Sequence, residues 1–306
     1  MWVTFLSKQA VGAASPLVLA GLGELVAQKA GVINVGIEGL MLVGCLAAYA
    51  GAGASGSGME GVLAAAGAGA ALAMVFALAT VFLRADQIVT GTAVNLLAVG
   101  IVGTAWRWVE ARFPVLPAGA GFEVAPIPRL AGLPLVGPVF FQQFGLTYAL
   151  GALAVVVWAV LRFTRGGLVI RALGDSPEAC DAAGISVRWA RAGCVVFAGA
   201  LAGMAGAYLS IMRTHSFTTG ATGGRGFLVL ALVIFGRWNV WGLVAGCFLF
   251  GGVEALEQYW QAGPPPAWLS LHAFGMLPYV ATLVALAVLT RHRKGPAFLG
   301  KPWPEG

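Results

Sequence analysis

The chain has 306 residues, of which 59% are hydrophobic and only 10% charged, with a mean hydropathy of +0.87. That balance excludes an ordinary soluble domain, in which about a quarter of residues are charged. The net charge of +6 reads as the bias of basic residues toward one side of a membrane, not as affinity for nucleic acid.

Sparse charges punctuating long apolar runs give an all-α polytopic membrane protein, expected to have about 8–10 transmembrane helices in one domain over residues 1–306. One or two of those helices are expected to be broken or re-entrant. The 45 glycines suit close helix approach in lipid. Gly199-x3-Gly203 and Gly242-x3-Gly246 have the small-xxx-small form, but in so glycine-rich a chain such matches arise by chance. Met1–Ala10 lacks the basic start and small-residue cleavage site of a signal peptide. Cys45, Cys194 and Cys247 fall in apolar runs and Cys180 in a basic loop, without ligand-like spacing. His215, His272 and His292 are equally scattered, so neither a metal site nor a disulfide framework is expected.

In chain order, the candidate spans are about 11–28, 31–50, 61–83, 87–106, 144–161, 192–212, 224–236, 240–256 and 273–290. The second is interrupted by Asn34 and Glu38. These two share a face at i, i+4 if the helix is continuous, but Gly31, Gly36 and Gly39 make a break equally consistent with the sequence. A broken helix exposes backbone groups that only protein or a cavity can satisfy. Asn95 lies within the fourth run.

A long loop over about 107–143 carries Arg107, Arg112 and Arg129, with Trp106 and Trp108 as interface anchors. The segment Arg162–Arg191 holds five arginines and the acids Asp175, Glu178 and Asp181. Within it, Ser176-Pro177-Glu178 predicts a helix start: a capping Ser, Pro at the first helical position and an acid in the first turn. Gly184 supplies the stop. This short helix is either a plain connector or a docking surface for a cytoplasmic protein.

The seventh run is short and preceded by Gly220-Ala-Thr-Gly-Gly-Arg-Gly226, which places Thr222 and Arg225 at its entry. A second outer loop, Glu257–His272, contains three consecutive prolines. If Arg162–Arg191 and the tail Arg291–Lys294 are cytoplasmic, twelve Lys and Arg lie inside and five outside, with Arg225 at the membrane. The N-terminus is then outside and the C-terminus inside.

Catalytic signatures are absent from the sequence: there is no GxSxG, no HExxH, no Cys/His nucleophile pair and no Walker A. Gly51-Ala-Gly-Ala-Ser-Gly56 matches GxGxxG, but it joins two apolar spans rather than a strand and a helix. Polar groups inside spans are functional candidates because they are costly there. Asn34, Glu38, Asn95, Thr222 and Arg225 either fix helix packing or line a pathway. Glu24 and Glu254 lie nearer span ends and are expected to be solvated or paired.

Four segments carry a more specific resemblance. They are Gln28-Lys-Ala-Gly-Val-Ile-Asn-Val-Gly-Ile-Glu-Gly-Leu-Met41, Ala85-Asp-Gln-Ile-Val-Thr-Gly-Thr-Ala-Val-Asn-Leu-Leu97, Arg171-Ala-Leu-Gly-Asp-Ser-Pro-Glu-Ala-Cys-Asp-Ala-Ala-Gly-Ile185 and Gly223-Gly-Arg-Gly-Phe-Leu-Val-Leu-Ala-Leu-Val-Ile-Phe-Gly-Arg-Trp238. Together they resemble permease subunits of bacterial ABC importers of the ribose/branched-chain amino acid type, nearest the nucleoside branch. The chain departs from the family at Gln28-Lys29, where Glu-Arg is usual, and at Cys180, where Ala is usual.

The resemblance implies a non-enzymatic inner-membrane subunit without a cofactor, serving a nucleoside or simple-sugar-like solute. Its implied partners are an ABC ATPase, a second permease (a heterodimer preferred over a homodimer) and an extracytoplasmic substrate-binding protein. It implies ATPase coupling through Gly174, Asp175, Ser176, Pro177, Glu178, Ala179, Asp181, Ala183 and Gly184, and binding-protein docking through Arg107, Arg112 and Arg129. Asn34, Glu38, Asn95, Thr222, Arg225 and Phe227 are the expected pathway residues. An ion-coupled secondary transporter using Glu38, or a non-conducting assembly subunit, are the alternatives.

Overall fold

The computed structural model of the chain describes residues 2–117, 119–122, 124–128, 137, 139, 141–262 and 295–303. The helices in chain order are α1 (Trp2–Lys29), α2 (Ile37–Ser55), α3 (Gly58–Ala77), α4 (Gln87–Arg112), α5 (Gly145–Phe163), α6 (Arg165–Asp175), α7 (Pro177–Ala182), α8 (Val187–Ala207), α9 (Arg225–Phe235) and α10 (Val240–Ala262). Wide π-helical turns extend α3 over Leu78–Phe82 and α8 over Tyr208–Thr214. Among the described residues, seven helices are long and apolar enough to cross a bilayer: α1, α2, extended α3, α4, α5, extended α8 and α10.

The 11 residues of α9 reach only about 16 Å at the usual helical rise, roughly half of a hydrocarbon core. This crossing is therefore broken, as its short apolar run and glycine-rich entry predict. The expected ninth span 273–290, the outer loop beyond 262, the tail Arg291–Lys294 and Arg129 lie outside the described residues.

The second run is also broken, and its helix starts at Ile37 instead of 31. Gly31 closes α1 with φ +91, while Val32 N donates back to Ala27 O (3.0 Å). That six-residue closure satisfies orphan carbonyls and turns the chain out of the helix. Asn34 consequently sits in a turn, and it shares no continuous helical face with Glu38.

Helix α1 runs through the middle, packed by α8, α9 and α10, with Ala13, Ala14, Leu22 and Leu25 fully buried. Helices α2, α3 and α8 meet along a glycine seam. A Cβ on Gly203 would run into the Ala65 carbonyl, and one on Gly206 into the Met41 carbonyl. A Cβ on Gly44 would meet the Gly203 backbone from the other side. Small residues allow this approach, and close packing is what holds helices together in lipid. Gly199-x3-Gly203 is thus part of a real seam.

Two short strands, β1 (Val124–Pro126) and β2 (Gln142–Phe144), pair antiparallel with Val124 opposite Phe144. Tyr148 Oη donates to Ala125 O (3.1 Å) beside them and ties this long loop to α5. At the same end, Tyr49 Oη donates to Phe113 O (3.2 Å). The other end gathers Gln28, Gly174, Arg191, Trp238 and residues 295–301. The start of α1 and the C-terminal segment therefore lie at opposite ends of the body.

Candidate functional site

The break between α1 and α2 leaves the backbone of 30–36 in need of partners. Side chains from three directions supply them. Glu24 Oε1 accepts from Asn34 N (3.2 Å), Gln87 Oε1 accepts from Ile33 N (2.8 Å), and Asn34 Oδ1 accepts from Gly36 N (3.0 Å). Asn95 spans the junction, its Oδ1 accepting from Gly39 N (2.8 Å) and its Nδ2 donating to Val35 O (3.0 Å). Asn34 has no exposed surface, whereas Asn95 is half-buried. Glu24 is fully buried and also accepts from Gln28 Nε2 (2.9 Å), so it is paired and not solvated.

Glu38, in the first turn of α2, reaches the N-terminus of α9. Its two carboxylate oxygens accept from Gly224 N (2.8 Å) and Gly226 N (2.6 Å). A half-helix beginning inside the body presents unpaired N–H groups and the positive end of its dipole, and a carboxylate answers both. Gly226 is needed for the approach, since a Cβ there would meet the Glu38 backbone at 2.6 Å. The start of α2 and the half-helix α9 are thus joined at one ionic cap.

Beyond the cap, Arg225 Nη2 bonds Glu254 Oε1 (2.7 Å), and Arg213 Nη1 bonds the same oxygen (2.9 Å). Thr222 is buried, with its carbonyl accepting from Arg225 Nη1 (3.2 Å). A cavity of about 510 Å³ opens here, lined by Gln9, Arg213, Thr214, Thr218, Arg225 and Gln258 among others. On the outer face of α9, Phe227 is 48% exposed beside exposed Gly223 and Gly224. Of the expected pathway residues, Glu38, Asn95 and Asn34 gather at the α1–α2 break. Thr222, Arg225 and Phe227 gather at the entry to α9.

At the basic end, α6 is capped by Thr164, whose Oγ1 accepts from Gly167 N (3.1 Å), and α7 follows directly. Asp175, Ser176, Glu178, Ala179, Asp181, Ala183 and Gly184 are exposed, while Gly174, Pro177 and Cys180 turn inward. Three acids on one exposed surface suit a basic partner. Pro177 takes the first helical position and Gly184 ends the unit at φ +76, as the sequence predicts. The capping role of Ser176 is not observed: it holds the cap position, but at φ −151 its side chain makes no capping bond. Cys180 is 3% exposed, and burial pushes its thiol pKa up. At the opposite end, Arg107 and Arg112 are exposed on the last turns of α4.

Not foreseen from the sequence are Gln87 and the pairing of Arg213 and Arg225 with Glu254, while Gln28 stood out only as a departure from the family pattern. Gln87 carried a local signal, because it directly follows Asp86, whose Oδ1 caps α4 through Ile88 N and Val89 N (both 2.9 Å). Gln28 had one too, since it lies four residues after Glu24 on α1, whereas the Arg213–Glu254–Arg225 cluster joins separate elements and has no local signature.

Among the described residues, seven helices long enough to cross, a half-helix beginning inside the body and an exposed capped unit at one end define a membrane transport subunit. Residues 8–289 match the family described as the permease component of branched-chain amino acid transport systems, and the chain belongs to that family. It is 37% identical over 255 residues to a putative glucose ABC transporter permease protein of Haloferax volcanii, covering 81% of this chain and 75% of that one. It is 32% identical over 297 residues to a nucleoside ABC transporter permease protein of Lactococcus lactis subsp. cremoris, covering 94% and 90%. A guanosine ABC transporter permease protein of Bacillus subtilis is 31% identical over 300 residues, covering 96% and 94%. No solved structure matches the chain.

Proposed function

We infer that this chain forms half of the translocation pathway of an ATP-driven importer for a nucleoside or a simple sugar. The observation that carries the reading is the Glu38 cap. It joins the start of α2, just after the non-helical stretch 31–36, to the half-helix α9, where backbone amides, Asn95, Arg225 and exposed Phe227 come together. Interrupted helices in membrane transporters place backbone dipoles and polar side chains against a solute pathway. An aromatic face with amide and hydroxyl neighbours suits a nucleobase or a sugar ring. The relatives' names, glucose in one case and nucleosides in two, support that solute class.

The exposed acidic surface Asp175–Gly184 is the docking site for an ABC ATPase in this reading. The other half of the pathway comes from a second permease, preferably a longer related chain. A substrate-binding protein meets Arg107, Arg112 and Arg129. The basic end faces the cytoplasm of a bacterial cell, which puts the N-terminus outside and the C-terminus inside. Ion coupling through Glu38 has less support, because its carboxylate is engaged by two backbone donors as a fixed cap.

Partner capture tests the reading. The chain is extracted from its native membrane in mild detergent, and its companions are identified by mass spectrometry. An ATPase with a Walker A sequence and a second permease are expected. Their absence after chemical cross-linking in the intact membrane would refute the assignment.

A further inference from the structure

The C-terminal residues 295–303 have no place in the pathway or in the ATPase-docking surface, yet they are closely bonded. Gly295 lies on the Trp238 indole, where a Cβ would meet the ring at 2.6 Å. Phe298 N donates to Gly174 O (2.8 Å), and Gly300 N donates to Gly31 O (3.0 Å). Lys301 O accepts from Arg191 Nη1 (3.1 Å). One short segment thus touches the end of α6, the turn after α1, the start of α8 and the turn after α9.

Arg191 closes the arrangement. It is 2% exposed, and its Nη2 donates to Leu173 O (3.0 Å) in the last turn of α6. The same nitrogen lies against Gly31, where a Cβ would meet it at 2.7 Å. Among the described residues the guanidinium bonds no carboxylate. It is met by carbonyls, one of them at the negative end of the α6 dipole. A buried charge held this way is costly, and its fork geometry demands that α6 and the C-terminal segment stay in register.

Bonded contacts continue inward from this clamp. Trp238 Nε1 donates to Gln28 Oε1 (2.9 Å), and Gln28 Nε2 donates to Glu24 Oε1 (2.9 Å). That oxygen also accepts from Asn34 N, in the turn that positions α2 and hence Glu38. The series runs from Trp238, against which Gly295 packs, to the turn at Asn34, four residues before Glu38.

We propose that residues 295–303 are a strap, clamped by Arg191, that locks the docking unit α6–α7 to the ends of α1 and α9. Movement imposed by the ATPase on Asp175–Gly184 is thereby passed to the Glu38 junction. The proposal rests on the permease reading above. Arg191 is a positioning residue, since it touches neither solute nor nucleotide. A coupling of this kind through packed and hydrogen-bonded elements changes equilibria by factors of about 2 to 30.

The test uses the full chain with the ATPase and second permease that co-purify with it. Hydrogen exchange of the Gly224–Phe227 amides is compared between nucleotide-free and ATP/vanadate-trapped complexes. Wild type is expected to change its exchange on trapping. Arg191→Lys keeps the charge but replaces the fork's two donor nitrogens by one on a shorter side chain, and a chain ending at Lys294 lacks the strap. Each is expected to retain the ATPase while the trapping response falls by roughly fivefold or more. An undiminished response in both variants overturns the strap. So does failure of both to insert while an Asp181→Ala control inserts normally, because the strap would then be a folding element. If the wild-type chain binds no ATPase, it is the permease reading itself that fails.

Discussion

Replacing Glu38 by Gln tests the junction most sharply, because the side chain keeps its shape while losing its charge and one acceptor. The carboxylate holds Gly224 N and Gly226 N, and Gly226 is buried. Hydrogen bonds to a charged group contribute about 1.5–3 kcal/mol, and interaction with the helix dipole adds about 0.3–1 kcal/mol. Gln retains one acceptor, so the net loss is about 2 kcal/mol, equivalent to roughly a 30-fold change in the local opening equilibrium. Hydrogen exchange followed by mass spectrometry reads this directly. The Gly224–Phe227 amides are expected to exchange about 30-fold faster in Glu38→Gln, while α3 and α8 exchange as in wild type. Unchanged exchange at Gly224–Phe227 would show that the cap does not hold α9, and the account of the junction would be wrong.

Other perturbations separate packing from function. Gly203→Leu forces a side chain into the Ala65 carbonyl and against the Gly69 backbone, so a loss of about 3 kcal/mol and a sharp fall in membrane abundance are expected. Asn95→Ala strands Gly39 N and Val35 O, which costs about 1–3 kcal/mol and should lower the thermal midpoint in detergent. An unchanged midpoint would show that water replaces both bonds. Glu178→Arg inverts an exposed charge on the proposed docking surface, and ATPase binding should weaken while insertion stays normal. Cys180 should react with maleimide much more slowly at pH 7 than an exposed cysteine introduced by Asp181→Cys. Its rate should rise with pH, since burial raises the thiol pKa and keeps the thiolate scarce at neutrality.

Hydropathy made most of the crossings legible, and the glycine-rich entry marked α9 as too short to cross alone. Asn34 and Glu38 stood out because polar groups in apolar runs are costly. What they bond was not readable: Glu38 and Gly226 are 188 residues apart, and no periodicity links them. Glu24, expected to be solvated or paired from its place near the end of an apolar run, is paired. The turn after Gly31 folds back over that end of α1 and buries it. Arg191 counted only as one of five arginines in a basic segment, yet it is buried, with a partner 110 residues away in the chain. Ser176 had the right neighbours for a cap, but the sharp joint between α6 and α7 leaves its side chain unbonded. Local chemistry foretold where helices start and stop, while long-range pairing decided which polar groups matter.

The central claim is that this permease moves its solute at the expense of ATP. Uptake of radiolabelled guanosine, with glucose in parallel, into proteoliposomes holding the chain with its ATPase, second permease and binding protein tests it most directly. Uptake of one of these solutes is expected only when ATP and the binding protein are both present, with no effect of a proton or sodium ionophore. Uptake without ATP that collapses when the ion gradient is dissipated would contradict it and would make Glu38 an ion-coupling site.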